Sequence, residues 1–251
     1  MRFLHALSAF LSTFLSIIIP AHNEEKRLPD SLEQVFSFLK TQDFSYEVIV
    51  VENESVDRTF EIAQEFAQKH TALRVIQSER GKGAAIRRGM LEARGDYRFM
   101  CDADFSMPAT EIVKFLPPTA RDFDIAIASR ETPGARRYNE PIYRHIGGRG
   151  INFIIQGLIL PGLNDTQCGF KCFRAEVAED LFKAQTMNGW SFDIEILYLA
   201  RRRRRRVREI PIDWYYHPDT KVNAWRDALR MIADIFHIRL NALRGLYNGA
   251  R

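Results

Sequence analysis

Asp102 and Asp104 are the residues whose type and spacing point most directly to chemistry. The triplet Asp102-Ala103-Asp104 follows the run 97–101, Tyr-Arg-Phe-Met-Cys, which predicts a short strand. A strand that ends in Asp-x-Asp directs both acids to the carboxyl edge of a sheet, where open α/β folds bind ligands. Hard carboxylate oxygens suit Mg²⁺ or Mn²⁺, so the triplet predicts a site for a divalent metal that carries a diphosphate. A chance Asp-x-Asp in a solvated turn is the alternative.

Two more polar loops follow predicted strands. They are 20–25, Pro-Ala-His-Asn-Glu-Glu, and 52–57, Glu-Asn-Glu-Ser-Val-Asp. Their carboxylate and amide groups can accept hydrogen bonds from a nucleobase and a ribose. Helix capping is the alternative, which we favour for Asp57, whereas we favour ligand contact for Asn23 and Glu52.

The segment Gly81-Lys82-Gly83 resembles a phosphate-binding loop, with Lys82 at the start of a predicted helix. Its glycines would let the backbone approach an anion. The spacing differs from that of a Walker motif, and a dinucleotide-binding fingerprint is absent from the sequence. ATPase and dehydrogenase functions are therefore disfavoured.

The elements that must position these loops alternate along the chain. Short β-branched runs and amphipathic stretches predict right-handed βαβ units and a parallel sheet, with every polar loop at one edge. Strands are predicted at 16–20, 46–51, 73–77, 97–101, 124–129, 170–174 and 207–214. Helices are predicted at 28–40, 57–68, 82–93, 109–116, 143–160, 177–184 and 193–203.

Composition is that of an enzyme-sized α/β domain in a reducing compartment. The chain has 251 residues, 46% of them hydrophobic, and three cysteines at 101, 168 and 172, too few for a disulfide scaffold. A metal site at Cys168 and Cys172 is disfavoured because other soft ligands are not nearby in sequence. Residues 201–251 carry 13 basic and 5 acidic residues, whereas the whole chain has a net charge of +4. This basic end suits an anionic surface; nucleic acid is disfavoured because no recognised binding module accompanies the charge.

The two ends of the chain predict contact with a membrane surface rather than a span. The N-terminal stretch 3–19 is interrupted by polar residues, and we expect 1–15 to form a short helix or arm. Near the C-terminus, apolar residues recur every three or four positions and predict an amphipathic helix. They are Trp225, Leu229, Ile232, Phe236, Leu240 and Leu243. Docking of this stripe on the domain is the commoner outcome, and the bilayer interface is the alternative. The run 201–206 is either a solvated helix end or a membrane contact.

Several motifs together resemble the family 2 inverting glycosyltransferases. These motifs are 17–25, the 81–83 loop, 102–104, Ser129-Arg130, Asp-Thr-Gln-Cys-Gly-Phe-Lys at 165–171 and Trp-Ser-Phe-Asp-Ile-Glu at 190–195. The resemblance covers about 16 to 245 and is strongest to the branch that glucosylates or mannosylates dolichyl and polyprenyl phosphates. It implies a GT-A fold, which is a Rossmann-like, mostly parallel sheet flanked by helices. We accordingly divide the chain into an arm at 1–15, a catalytic domain at 16–218 and a C-terminal amphipathic segment at 219–251.

The resemblance also implies substrates and site residues. The donor would be a nucleoside-diphosphate sugar, UDP-glucose or GDP-mannose, with Mg²⁺ or Mn²⁺ held by Asp102 and Asp104. The nucleotide would lie among Pro20, Ala21, Asn23, Glu24, Glu52, Lys82, Asp102 and Ala103. The phosphate of a polyprenyl phosphate acceptor would face Arg130, Arg144 and Arg149, and the sugar would lie among Asp165, Gln167, Trp190 and Asp193. Of these, Asp102, Asp104, Arg130 and Asp193 are the predicted catalytic residues.

Two departures from the family pattern bear on the donor. Many relatives have Asp-Asp-Gly-Ser where this chain has Glu52-Asn53-Glu54-Ser55, which leaves the preferred base open. Some mannosyl relatives place a Gln two residues after the second Asp, as a further metal ligand, where this chain has Ser106.

We expect an enzyme on the cytoplasmic face of a membrane, peripherally attached. The alternatives are a family 2 enzyme with a hydroxyl acceptor, for which Asp193 would be the base, or a non-catalytic nucleotide-sugar binder.

Overall fold

The structure, a computed structural model, describes residues 13–104, 106–216 and 224–248, with the backbone alone at 224–228. Most of the predicted N-terminal arm therefore lies outside the described residues, as does 217–223 between the domain and the C-terminal helix. Among the described residues, no helix is both long enough and apolar enough to cross a membrane.

The first half of the chain forms four parallel strands joined by helices. The strands are β1 (Leu15–Ala21), β2 (Tyr46–Glu52), β3 (Leu73–Gln77) and β4 (Tyr97–Met100). The connecting helices are α1 (Leu28–Leu39), α2 (Thr59–Lys69) and α3 (Lys82–Glu92). β1 lies between β2 and β4, with Ile18 opposite both Ile49 and Met100. This central position explains the run Ile17-Ile18-Ile19, because a strand covered on both faces needs apolar side chains on both.

The second half adds three strands and makes the sheet mixed. The new elements are β5 (Ile125–Ser129), β6 (Arg136–Tyr138), α4 (Ile142–Leu158), β7 (Lys171–Arg174), α5 (Ala175–Lys183), α6 (Phe192–Arg202), β8 (Val207–Pro211), β9 (Asp213–Tyr215) and α7 (Ala224–Leu243). The main sheet has the order β3-β2-β1-β4-β7-β5-β8. β7 runs antiparallel to β4 and β5, whereas the other pairs are parallel. The expected α/β fold with a mostly parallel sheet is confirmed.

Two apolar layers cover the sheet, one on each face. Ile17, Ile19 and Phe99 point into one layer, where Phe99 meets Phe115 and Phe170 edge to face. Ile18 and Met100 point into the other, which α3, α5 and α6 cover. Adjacent residues of one strand enter opposite layers because side chains alternate across a strand. The layers fix the strand ends that carry the polar loops.

Two predicted elements differ from those observed. The helix predicted at 109–116 is a 3₁₀ helix (Ala109–Phe115), a form that suits short segments, here between Pro108 and Pro117. The strand predicted at 207–214 breaks after Pro211, which lacks an N–H for the ladder. Its continuation, β9, pairs instead with β6, a strand that the sequence analysis missed.

Helix α7 docks on the domain mainly through residues outside the predicted apolar stripe. Ile235 and Ile238 are buried, whereas Leu229, Phe236 and Leu243 of the predicted stripe are exposed, Leu243 by 86%. The side chain of Trp225 lies outside the described residues. Of the two alternatives for this stripe, docking on the domain holds, among its described members, only for Ile232, which is partly buried and lines a small cavity with Ile155, whereas neighbouring isoleucines provide the other buried contacts.

Candidate active site

The loops that follow β1, β2 and β3 are fastened to one another at the carboxyl edge of the sheet. The backbone N–H of Asn23 donates to Ser55 Oγ at 3.0 Å, and Asn23 Oδ1 accepts from the N–H of Val56 at 2.8 Å. The amide of Asn53 donates to Gly81 O at 2.7 Å and accepts from the N–H of Gly81 at 2.9 Å. Asn53 was not among the predicted site residues, although its place in the second polar loop was a signal. The predicted nucleotide loops thus form one connected wall.

Glu52 and Asp57 have structural partners within this wall. Glu52 is buried, and its carboxylate accepts from the N–H of Ser55 at 2.5 Å and from Gln77 Nε2 at 3.0 Å. Burial opposes ionisation of Glu52, but these hydrogen bonds outweigh it and hold its pKa below the ordinary value. Asp57 Oδ1 accepts from the N–H of Thr59, the first residue of α2, at 3.0 Å, and Asp57 Oδ2 accepts from the N–H of Glu25 at 3.2 Å. These bonds agree with a structural role for Asp57 beside the helix start, although the N-cap residue itself is Arg58.

The other predicted members of the nucleotide loops lie along the same edge. Pro20 and Ala21 end β1, and Ala21 O accepts from the N–H of Asn53 at 3.0 Å. The N–H of Glu24 donates to Thr59 Oγ1 at 2.8 Å. Glu54, where many relatives have glycine, has a φ of 52°, in the left-handed region that glycine occupies most easily. Glu54 thus adopts a backbone conformation that suits glycine better than glutamate.

Lys82 connects the carboxylate pair to the predicted sugar pocket. Its Nζ lies 2.5 Å from Asp102 Oδ1 and 4.9 Å from the centre of the Trp190 ring. Burial alone would lower the pKa of Lys82, but the charges of Asp102, Asp193 and Asp104 raise it, so the ammonium form is retained. Asp104 Oδ1 accepts from the N–H of Ser106 at 3.1 Å. The structure therefore brings Lys82, Asp102, Asp193 and Trp190 together around one point.

The glycines beside Lys82 contact protein backbone. A Cβ on Gly81 would lie 2.2 Å from Asn188 O, and one on Gly83 would lie 2.5 Å from Met187 O. Gly81 also has a φ of 132°, which L side chains rarely adopt. These glycines were expected to leave room for an anion. In the structure, the space beside their Cα atoms is instead occupied by the backbone of 187–189. That loop is held by buried Glu195, which accepts from the N–H groups of Thr186 and Met187 at 3.0 and 2.9 Å.

Gly169 determines where the side chain of Asp102 can lie. A Cβ at this position would be 2.1 Å from Asp102 Oδ2, so no larger residue fits while Asp102 keeps its orientation. Gly169 belongs to the 165–171 motif but was not among the predicted site residues. The same motif contains Gln167, two residues after Asp165 in sequence, and its side chain is half-buried.

Gly169→Ala is expected to displace the Asp102 carboxylate, while the fold survives because the clash involves a side-chain tip. With the metal and donor that the family resemblance implies, this displacement should weaken metal-dependent donor binding at least about tenfold. Calorimetric titration with UDP-glucose and Mn²⁺, beside a thermal unfolding curve, measures both effects. Gly148→Ala is the matched control, since a Cβ there meets nothing within 4 Å. Equal donor affinity in the two variants would contradict the role assigned to Gly169.

Arg130 and Asp165, predicted for different substrates, form a two-pronged ion pair. Arg130 Nε and Nη2 donate to Asp165 at 2.7 and 3.0 Å, and the Arg130 N–H adds a third bond at 3.0 Å. Burial opposes both charges, but each charge stabilises the other, so the pKa of Asp165 falls and that of Arg130 rises. The guanidinium also lies over Trp214, 5.4 Å from the ring centre. Such a fork fixes the plane of Arg130.

The other two predicted acceptor arginines, Arg144 and Arg149, both lie on α4. Arg144 Nη1 donates to the Tyr216 hydroxyl at 3.0 Å and lies 5.1 Å from that ring centre. Arg149 Nη1 donates to Glu131 Oε2 at 3.1 Å, and its side chain is 65% exposed. Sequence reasoning missed the aromatic partners, although the run Trp214-Tyr215-Tyr216 at a strand end was a signal. Arg130 and Arg144 thus each lie over a ring from this run.

Asp193 belongs to a buried ion pair with Lys171. Lys171 Nζ donates to Asp193 Oδ1 at 2.6 Å and to Cys168 O at 2.7 Å, and both charged side chains are inaccessible to solvent or nearly so. Burial raises the pKa of Asp193, Asp102 adds to the rise, and Lys171 and Lys82 oppose it. Lys171 was not predicted, although a lysine in the apolar strand Lys171–Arg174 requires a buried partner. Trp190, by contrast, is 61% exposed.

Comparison with known proteins assigns the chain to a family. The model of Glycosyl transferase family 2 matches residues 16–182. A dolichyl-phosphate beta-glucosyltransferase of Drosophila melanogaster is 36% identical over 93% of this chain and 76% of that protein. The human protein of the same name is 34% identical over 93% of this chain and 77% of its own length. The chain therefore belongs to glycosyl transferase family 2 and is a glycosyltransferase, as the sequence motifs predicted.

Solved structures agree on the fold. Glucosyl-3-phosphoglycerate synthase of Mycobacterium tuberculosis, crystallised with Mn²⁺, UDP-glucose and glycerol 3-phosphate, superposes with a TM-score of 0.64. The superposition covers 92% of this chain and 82% of the synthase at 17% identity. At that identity the likeness establishes the fold alone.

Proposed function

We propose that this enzyme transfers glucose from UDP-glucose to a dolichyl or polyprenyl phosphate, with inversion at the anomeric carbon. The observation that carries the proposal is the match, over 93% of the chain, to proteins named dolichyl-phosphate beta-glucosyltransferase. The geometry supports it, since the Lys82–Asp102 contact and the Arg130–Asp165 ion pair form two distinct charged groups in the candidate site. Such a division suits a reaction that joins two phosphorylated substrates.

A divalent metal fits the residues present. Among the described residues no cluster of three His, Cys, Asp or Glu side chains could hold a metal by itself. Asp102 and Asp104 would supply two oxygen ligands, and Mg²⁺ or Mn²⁺ commonly completes its shell with substrate phosphates and water. The contact of Lys82 with Asp102 supports this fit, because the carboxylate already accommodates a cation. When bound, the metal neutralises the diphosphate leaving group.

The residues of the chain have complementary tasks in this proposal. The wall formed by Pro20, Ala21, Asn23, Glu24 and Glu52 surrounds the nucleoside, and Ala103 lies beside it. Lys82, held between Asp102 and Trp190, is placed to add positive charge near the diphosphate. Asp165, Gln167, Trp190 and Asp193 would line the sugar pocket.

The acceptor needs little base catalysis. A phosphate oxygen is already anionic near neutral pH, so the enzyme must chiefly orient it and offset its charge. Arg130 is held in plane by Asp165, which leaves its Nη1 outside the fork, and we assign it with Arg144 and Arg149 to the acceptor phosphate. A hydroxyl acceptor would instead require a base, and the buried contact of Asp193 with Lys171 disfavours Asp193 for that task.

Peripheral attachment to the cytoplasmic face of a membrane accompanies this proposal. A lipid-linked phosphate must be reached at the bilayer interface, and the exposed apolar side chains of α7 suit such contact. We propose no nucleic-acid partner.

Transfer of radiolabel tests the function directly. The enzyme is incubated with labelled UDP-glucose, GDP-mannose or UDP-N-acetylglucosamine, each with a polyprenyl phosphate and Mn²⁺. We expect label from UDP-glucose to enter the organic phase, and no label with an Asp104→Asn control. Transfer from none of the donors to the lipid, together with robust transfer to a water-soluble alcohol, would contradict the proposal.

A further inference from the structure

The basic run at 201–206 divides into two groups with different surroundings. Arg203 and Arg205 form ion pairs with Asp180 at 2.7 and 2.8 Å, and Arg206 pairs with Asp124 at 3.5 Å. Arg201 and Arg202 form no salt bridge within the described part of the chain; Arg201 donates to Pro161 O at 2.7 Å instead. Arg203, Arg205 and Arg206 thus form a group with acidic partners. Arg201 and Arg202, and also Arg204, form a second group that has no salt bridge to the described residues.

Arg201 and Arg202 line a groove together with Arg239 of α7. The groove has a volume of about 430 Å³, and its other walls include Gly157, Leu158 and Tyr198. Arg202 lies over the Tyr198 ring at 5.8 Å, and no carboxylate is among the lining residues. Arg239, like the other two, forms no salt bridge with the described residues. Three arginines around an open groove, without a counter-charge, favour an anionic ligand.

One wall of the groove continues into an exposed apolar face of α4. Ile142, Ile146 and Phe153 are exposed; the exposed fraction is 78% for both Ile142 and Phe153. Their spacing of four and seven residues places them on one face, which Arg149 shares. Ile155 is the one fully buried residue of this helix, which contains no acidic residue. Helix α4 thus presents an apolar and basic face to its surroundings.

The opposite wall continues into the exposed face of α7. Phe236, Leu240 and Leu243 are exposed, and Arg239 shares their face because it lies three residues after Phe236 and four before Leu243. A small apolar cavity between α4 and α7 is lined by Ile154, Ile155, Met231 and Ile232, so the two helices are neighbours. Asp234, the one acid at 229–243, faces the domain and accepts from Ser191 Oγ.

We propose that the exposed faces of α4 and α7 rest on an anionic bilayer, and that Arg201, Arg202 and Arg239 bind the phosphate of an anionic lipid headgroup in the groove between them. This site is separate from the acceptor phosphate and serves attachment. The inference rests on the peripheral membrane association proposed above and gives it a location. Apolar side chains enter the headgroup region while the arginines meet lipid phosphates, and each basic residue near such a surface strengthens binding several-fold.

Vesicle flotation tests the groove. The full chain is mixed with phosphatidylcholine vesicles with or without phosphatidylglycerol, at about 0.1 M salt, where charges more than about 10 Å away contribute little. The variant Arg201→Gln, Arg202→Gln, Arg239→Gln is expected to partition about 100-fold more weakly onto anionic vesicles than the wild type. The control Arg88→Gln, Arg121→Gln, Arg208→Gln removes the same charge from residues that do not line the groove. It should bind about as the wild type does.

Glucose transfer to a short-chain, water-soluble polyprenyl phosphate is measured in parallel. The groove variant should keep wild-type activity there, because its arginines contact neither substrate in our assignment. The inference is overturned if the groove and control variants bind vesicles equally, if the wild type stays unbound on anionic vesicles, or if soluble transfer is lost in the groove variant. Absence of transfer by a wild type that still binds vesicles would count against the proposed function alone.

Discussion

Asp104→Asn is expected to lower kcat/KM about a thousandfold or more and to remove the metal dependence of donor binding. The substitution preserves shape and keeps an oxygen for the hydrogen bond from Ser106, so the fold should not change. In the proposed function, it removes the charge that would help to hold Mg²⁺ or Mn²⁺ on the diphosphate, a contribution of several kcal/mol. Calorimetry with UDP-glucose, with Mn²⁺ or with a chelator, measures the loss.

Asp122→Asn provides the matched control for this experiment. Asp122 is exposed in the loop before β5, and its φ of 55° is one that Asn tolerates well. It should bind and turn over donor as the wild type does. Donor affinity that is unchanged in Asp104→Asn and insensitive to chelator would show that the carboxylate pair is only a solvated turn.

Lys171→Met is expected to destabilise the protein by about 3–5 kcal/mol, because it leaves the Asp193 carboxylate buried without its partner. Urea unfolding measures the change. Adding Asp193→Asn to the same protein should recover part of the loss, since the unpaired charge is then gone. Lys183→Met is the control: Lys183 also pairs with a carboxylate, Glu179, but is 68% exposed, so the expected cost is at most about 1 kcal/mol. Equal costs for the two lysines would contradict the assigned importance of the buried pair.

The fold was predictable where the signal is local. The spacing of apolar residues predicts the buried strands around Ile18 and the helices between them. The polar loops follow directly at the ends of these strands. Their meeting at one edge then follows from the handedness of βαβ units. The small β6–β9 sheet was missed because strands of three residues are too short to show a period.

The pairings within the candidate site were not predictable from the sequence. Asp165 is 35 residues from Arg130, and Asp193 is 22 from Lys171, so no local pattern joins them. The family motifs indicated which residues matter, and they assigned Arg130 and Asp165 to different substrates. Only the folded arrangement places these two side chains on each other, and only it shows that Gly169 makes room for Asp102.

The attachment of α7 to the 186–191 loop has a practical consequence for experiments on this enzyme. Asp234 accepts from Ser191, Asn241 donates to Thr186, and the Tyr247 hydroxyl donates to Glu195 beneath the same loop. This loop also abuts Gly81 and Gly83. An enzyme shortened before Ala224 to improve its handling would therefore lose these supports of the loop beside Gly81 and Gly83, along with the helix that we propose to face lipid. The contribution of the membrane to catalysis can be isolated by point substitutions on the outer face of that helix, and not by truncation.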